Sequence, residues 1–175
     1  NREIASANRN ALFLYQEQLE ADLSQIETSM AQDWAQNWNY QKLKYKLDPL
    51  DVHLNTLSIV NKAREQLALT ECLGAVYIYS APNDVCRCAY QDCYSYKELI
   101  TMQNYVKSLD FESTPKSWFY DKVGDKYFLV RLLGFSNAYS VSLVDFDLVM
   151  APSRLATQTH KTSSLVYLSN DGTVL

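Results

Sequence analysis

Two charged side chains stand where strands should be apolar. Arg131 interrupts the run Lys126–Phe135, and Asp145 ends the run that begins at Asn137. Apolar walls with a few placed charges are how a small-ligand pocket is built. Period-two alternation sorts these residues: Phe128, Val130 and Leu132 fall on one side and are expected in the core, while Tyr127, Leu129, Arg131 and Leu133 fall on the other. Arg131 is then either a pocket cation or a charge snorkelling from a solvated sheet face. On the neighbouring run Tyr139, Val141, Leu143 and Asp145 share a side. Asp145 either neutralises a ligand cation or caps the helix that follows.

Aromatic side chains accompany these charges. Trp118 and Tyr120 share one strand side, as do Tyr77 and Tyr79. Such walls suit stacking on sugars, rings or quaternary amines, or serve as ordinary core packing. Signals for catalysis are weaker. His53 sits in a helical stretch and His160 in a polar loop, neither beside a recognisable nucleophile, and no zinc-protease, nucleophile-elbow or phosphate-loop motif occurs. A Cys–His pair formed only in three dimensions stays open at this stage. This stretch of chain is not expected to be an enzyme, and its residues call for no cofactor.

The chain holds 4 cysteines, Cys72, Cys86, Cys88 and Cys93. Outside the cell an even number suits disulfides, with free thiols and a four-thiolate zinc site as alternatives. The cluster lacks the usual pair of C-x2-C knuckles, and a Cys86–Cys88 bridge is the least favourable pairing because it would be strained.

The elements that must position these groups follow from periodicity. Leu12, Tyr15, Leu19, Leu23, Ile26 and Met30 recur at helical spacing, which predicts one long helix from about Arg2 to Trp34. It is either an amphipathic packing helix or a stalk that pairs with a second copy. Asp48-Pro49 opens a second helix, ending near Thr70, with Leu50, Leu54, Leu57, Val60 and Leu67 as its expected buried side. Leu73–Tyr79 reads as a strand, the cysteine segment as mostly irregular, and Leu99, Met102, Val106 and Leu109 as a short helix. Ser117–Tyr120 and Tyr127–Phe135 form a hairpin with Val123–Asp125 at its tip, and Ala138–Asp145 is the next antiparallel strand. A short helix over Leu148–Thr157 and a last strand, Ser164–Leu168, complete the order. Helices grouped on an antiparallel sheet give an α+β class. The divisions expected are 1–47, a stalk helix with its connector; 48–150, the sensing module; and 151–175, a linker helix and the start of a second module.

Bulk properties exclude some partners. A chain of 175 residues with 47% apolar content supports a real core. Its formal charge of −4 argues against nucleic acid. The 13 tyrosines against 4 glycines suit strands, interfaces and wet pockets. No apolar run is long enough to span a membrane, and no signal peptide is visible. The sequence opens inside a helical pattern without an initiator Met and closes just after the Asn170–Gly172 turn, so we expect an excised piece of a longer protein.

This order resembles a Cache domain, the extracellular PAS-like sensor module of bacterial histidine kinases and chemoreceptors. The resemblance rests on the long leading helix, the apolar strand Leu73–Ser80, the Trp118-Phe-Tyr120 strand, and Tyr139–Asp147, similar to the family's closing strand with an acidic end. Ser164–Leu175 resembles the opening hairpin of a second module of the double-Cache type. It implies an extracellular domain of a membrane receptor, with membrane spans outside this segment and a homodimer formed through the leading helix. It also implies that a small molecule, or a ligand-loaded binding protein, closes the distal module. The family's amino-acid-binding members place an Arg two residues before a Trp, then an aromatic, and a later Asp. Here Lys116, Trp118, Phe119 and Asp145 take those places. Lys lacks the bidentate fork of Arg, so amino-acid specificity is not carried over. The alternative reading is a protein-interaction module that uses a tyrosine-rich face and has no small-molecule pocket.

Overall fold

Apolar residues at helical spacing build the first element. In the structure, a computed structural model that describes residues 2–151, α1 covers Arg2–Gln36. Ile26 and Met30 of its stripe are buried, Tyr15, Leu19 and Leu23 are half-buried, and Leu12 is exposed. A helix of 35 residues is about 50 Å long, more than the strands beneath it can cover. Only its C-terminal half therefore packs. Asn37 then leaves the helix and caps a short α2 (Trp38–Lys42), its side chain accepting from the Asn39 N–H at 3.0 Å.

α3 (Pro49–Leu69) starts as expected, with Asp48 accepting from the N–H groups of Leu50 and Asp51. Its buried side needs correction. Val60 and Leu67 are buried as expected, together with Thr56, Ile59 and Ala63, whereas Leu50, Leu54 and Leu57 are 65%, 53% and 44% exposed. The helix carries two apolar stripes on different sides, and spacing alone does not choose between them.

The strands are β1 (Leu73–Ser80), β2 (Val85–Tyr90), β3 (Phe119–Val123), β4 (Lys126–Phe135) and β5 (Ala138–Asp145). They form one antiparallel sheet in the order β2-β1-β5-β4-β3, an α+β arrangement consistent with a PAS-like fold. Within the cysteine segment, Cys86 and Cys88 stand on a short edge strand and Cys93 follows in a loop; the strand is reached through a turn in which Asp84 takes φ 48°. β1 pairs with this strand along its whole length, from Val85 to Tyr90.

The last strand lies in the middle of the sheet, and every residue of β5 is buried. Its alternation meets two layers. Even-numbered residues face α1: Trp34 Nε1 donates to Ser140 Oγ at 2.8 Å, and Ser142 Oγ lies 3.2 Å from Met30 Sδ. Odd-numbered residues face α4 (Tyr96–Ser108), and Tyr139, Val141 and Leu143 join Tyr77, Met102, Val106, Phe128, Val130 and Leu132 in one core. Phe128, Val130 and Leu132 are buried as expected. A capping box starts α4, with Ser95 accepting from the Glu98 N–H and Glu98 accepting from the Ser95 N–H. After β5 the chain turns helical over 146–151. The expected elements beyond residue 151, including Ser164–Leu168 and His160, lie outside the described residues.

Candidate functional site

Asp145 ends β5 on the α4 side, buried to 1% exposure. A buried carboxylate must be paired or bonded, and this one is fully engaged. Oδ2 accepts from Tyr94 Oη at 2.6 Å and lies 3.5 Å from Lys126 Nζ. Oδ1 accepts from the Asp147 N–H at 2.8 Å, which caps the helical turn that follows. Lys126 also pairs with Asp147 at 2.8 Å. Burial pulls the Lys126 ammonium down, but the Asp147 and Asp145 carboxylates outweigh it and hold the group above its ordinary range. Burial first, then the hydrogen bond and charge of Asp145, push the Tyr94 phenol far up, so it stays a donor.

Local backbone makes this cluster possible. A Cβ on Gly74 would lie 2.0 Å from Tyr94 Oη, so only glycine on β1 lets the phenol reach Asp145. On the other side, Gly124 takes φ 64° at the first position of the tight β3–β4 turn, a conformation natural to glycine. That turn carries Asp125 and sets Lys126 at the start of β4.

Between α4 and this turn opens a cleft of about 270 Å³. Met102, Val123 and Phe128 give it an apolar floor, Lys97 and Lys126 bring cations, and Glu98 and Asp125 bring anions. The Ser95 side chain and N–H hold the Glu98 carboxyl below its usual range, so it remains charged. An apolar floor under a few charged groups suits a small ligand with an apolar body and charged ends, and the volume lies just below the usual range for pockets that enclose drug-sized molecules.

The sequence-derived candidates separate into distinct places. Asp145 joins the cluster just described. Tyr77, Tyr79 and Tyr139 lie on the same sheet face, further along under α4. Tyr77 Oη donates to Leu99 O at 2.9 Å and Tyr139 Oη to Val106 O at 2.9 Å, so these hydroxyls tie α4 to the sheet. Tyr79 packs on Tyr139 at 5.2 Å between ring centroids. Lys116 is exposed, its Nζ 3.6 Å from the Phe111 ring centroid, and it bonds Phe111 O rather than lining the cleft.

Trp118, Tyr120 and Arg131 occupy the sheet face opposite to Tyr77, Tyr139 and Asp145, and none of them lines the cleft. Trp118 packs against the α1–α3 core, and Tyr120 is 40% exposed. Arg131 is neither a pocket cation nor a snorkelling charge. It is 7% exposed, with NH2 3.2 Å from Glu27 Oε1 on α1 and NH1 donating to Leu132 O at 2.7 Å. β4 runs between two covered faces, so its polar face meets a helix instead of solvent.

All four cysteines are free thiols, the second of the three alternatives that the sequence left open. Cys86 and Cys88 point from β2 toward α4, Cys72 lies on the α1 side beside Asp22, and Cys93 is exposed in the loop. Burial pushes the Cys72 and Cys86 thiols up to about 12, with Asp22 adding to the first and Cys88 to the second. Among the described residues no group of His, Cys, Asp and Glu is arranged to hold a metal.

The residues missed at the sequence level are Tyr94, Lys97, Lys126 and Thr101, the last of which lines the cleft beside Met102. One signal was available: Ser95-x-x-Glu98 before an apolar stripe marks a helix start, and would have placed Tyr94 and Lys97 at the end of α4 nearest the cleft. Comparison of the chain with family models, with curated proteins and with solved structures finds no match in any of the three. Among the described residues no helix is long and apolar enough to cross a membrane.

Proposed function

We propose that this chain is the extracellular ligand-sensing domain of a transmembrane receptor, a Cache-type module of a two-component histidine kinase. The observation that carries the reading is the placement of β5. One side of this strand holds Asp145 and the core beneath α4, next to the cleft, while the other holds Trp34 and Met30 of the leading helix. A ligand that draws α4 and the β3–β4 turn together shifts the strand on which α1 rests, provided it prefers one of two arrangements. The exposed Leu12, Phe13 and Leu14 on the projecting half of α1 suit a homodimer through that helix. In this reading the spans and the kinase lie outside the segment, and the ligand is a small molecule or is delivered by a binding protein.

A thermal-shift screen of amines, carboxylates, sugars and amino acids tests it, since a ligand that binds only the folded form raises Tm. A hit should be lost in Lys97→Ala and Thr101→Val and kept in Arg131→Met. No shift from any compound, with the domain folded, supports the alternative of a protein-interaction module working through exposed tyrosines such as Tyr90, Tyr96 and Tyr120.

A further inference from the structure

Among the described residues, none covers a second stripe on α3. Leu50, Leu54, Leu57, Asn61, Arg64 and Ala68 advance in alternating steps of four and three, and all are exposed. At 3.6 residues per turn they form one straight seam, roughly opposite the buried Ile59, Ala63 and Leu67. Alternating steps of three and four are the heptad pattern by which one helix takes another as knobs into holes. In heptad terms Leu50, Leu57 and Arg64 fall at d, and Leu54, Asn61 and Ala68 at a. Trp38 extends the apolar patch: it is 69% exposed, and its neighbour Asn39 donates to Ser58 Oγ beside the seam at 3.0 Å.

We propose that this seam is an interface with a second copy of the chain, the two α3 helices parallel and in register. Asn61 selects that occupant. A single Asn at an a position sets register in two-stranded coiled coils, because its amide holds both donor and acceptor and is satisfied by its own symmetry mate. The charges are compatible with the same arrangement: in register, Arg64 at d faces Arg64 of the second copy, and Glu65 at e of each copy flanks the two guanidinium groups and offsets their repulsion. Within one chain, Arg64 NH1 already donates to Asn61 Oδ1 at 3.1 Å, which holds both side chains on the seam. The inference stands on α3 alone and does not depend on the ligand reading or on pairing through α1.

Sedimentation equilibrium of the 175-residue chain over about 10–500 µM should show a dimer. Leu54→Glu with Leu57→Glu changes only exposed positions, so Tm should hold. The dissociation constant should rise at least roughly a hundredfold, because the seam would bury unpaired carboxylates. A cross-linking test keeps the proposal falsifiable if that variant misfolds. In a Cys93→Ser background, Leu50→Cys and Leu57→Cys should each give a disulfide-linked dimer on mild oxidation. Cross-linking of Leu57→Cys without Leu50→Cys indicates antiparallel pairing and overturns the register. A monomer throughout, or a dimer insensitive to the glutamates but dissolved by Leu12→Glu with Phe13→Glu, overturns the interface.

Discussion

Replacing Gly74 by alanine puts one methyl group where Tyr94 stands. The new Cβ would meet Tyr94 Oη at 2.0 Å, Tyr94 Cζ at 3.0 Å and Asp145 Cβ at 3.3 Å. Tyr94 is buried and its hydroxyl is bound, so the ring must move as a unit and leave Asp145. Overpacking of this kind costs about 1–3 kcal/mol. The lost hydrogen bond to a carboxylate costs about 1.5–3 kcal/mol. Alanine returns about 0.5–1 kcal/mol through its better strand propensity. The expected net loss is about 2–5 kcal/mol, or roughly 4–20 °C in Tm for a domain of this size. Urea unfolding measures it, and a double-mutant cycle with Tyr94→Phe tests the cause. With the hydroxyl gone, Gly74→Ala should cost at least about 1 kcal/mol less than in the parent. Equal costs in both backgrounds would refute the steric argument and detach Gly74 from the site.

Arg131→Met should lower stability by no more than about 1 kcal/mol, because the stem still packs and Glu27 stays half in water; a loss above about 3 kcal/mol in urea unfolding would contradict that weak pairing. At alkaline pH the domain should weaken. Burial, then Tyr79 and Cys86, raise Tyr139 from 10.0 to about 12, and burial raises Cys86 from 9.0 to about 12. The native state therefore keeps protons that the unfolded chain releases, so stability holds below about pH 9 and falls as pH rises toward 12. Urea midpoints across that window should decline, less steeply in Tyr139→Phe, and a rising midpoint would contradict the burial. Under native conditions a thiol reagent should label Cys93 first and Cys72 only on unfolding; peptide mapping that finds a native disulfide would overturn the free-thiol state.

Much of the fold was legible because short-range rules set it. Period-two alternation placed Phe128, Val130 and Leu132 in the core, and Asp48-Pro49 marked the start of α3. The site was legible only in part. Asp145 stood out as a charge ending an apolar strand, and it does cap the next turn. Its partners did not stand out. Tyr94 precedes it by 51 residues and reaches it only because Gly74 is bare, a coincidence of three chain segments that no local pattern records.

Arg131 shows why the two levels part. Alternation fixed that it opposes Val130 and Leu132, and that relation holds in the sheet. Whether its face met water, a ligand or a helix depended on α1, a segment more than 90 residues away. α3 poses the same question with two apolar stripes, and the sheet took the one whose Ile59, Ala63 and Leu67 fit against it. The sequence by itself determined most of the elements, the Asp48 cap and the two sides of β4 and β5, because those follow from contacts within a few residues. The tertiary structure alone decided which side each layer covers, and so placed the cleft between Lys97 and Lys126, because burial depends on residues far apart in the chain.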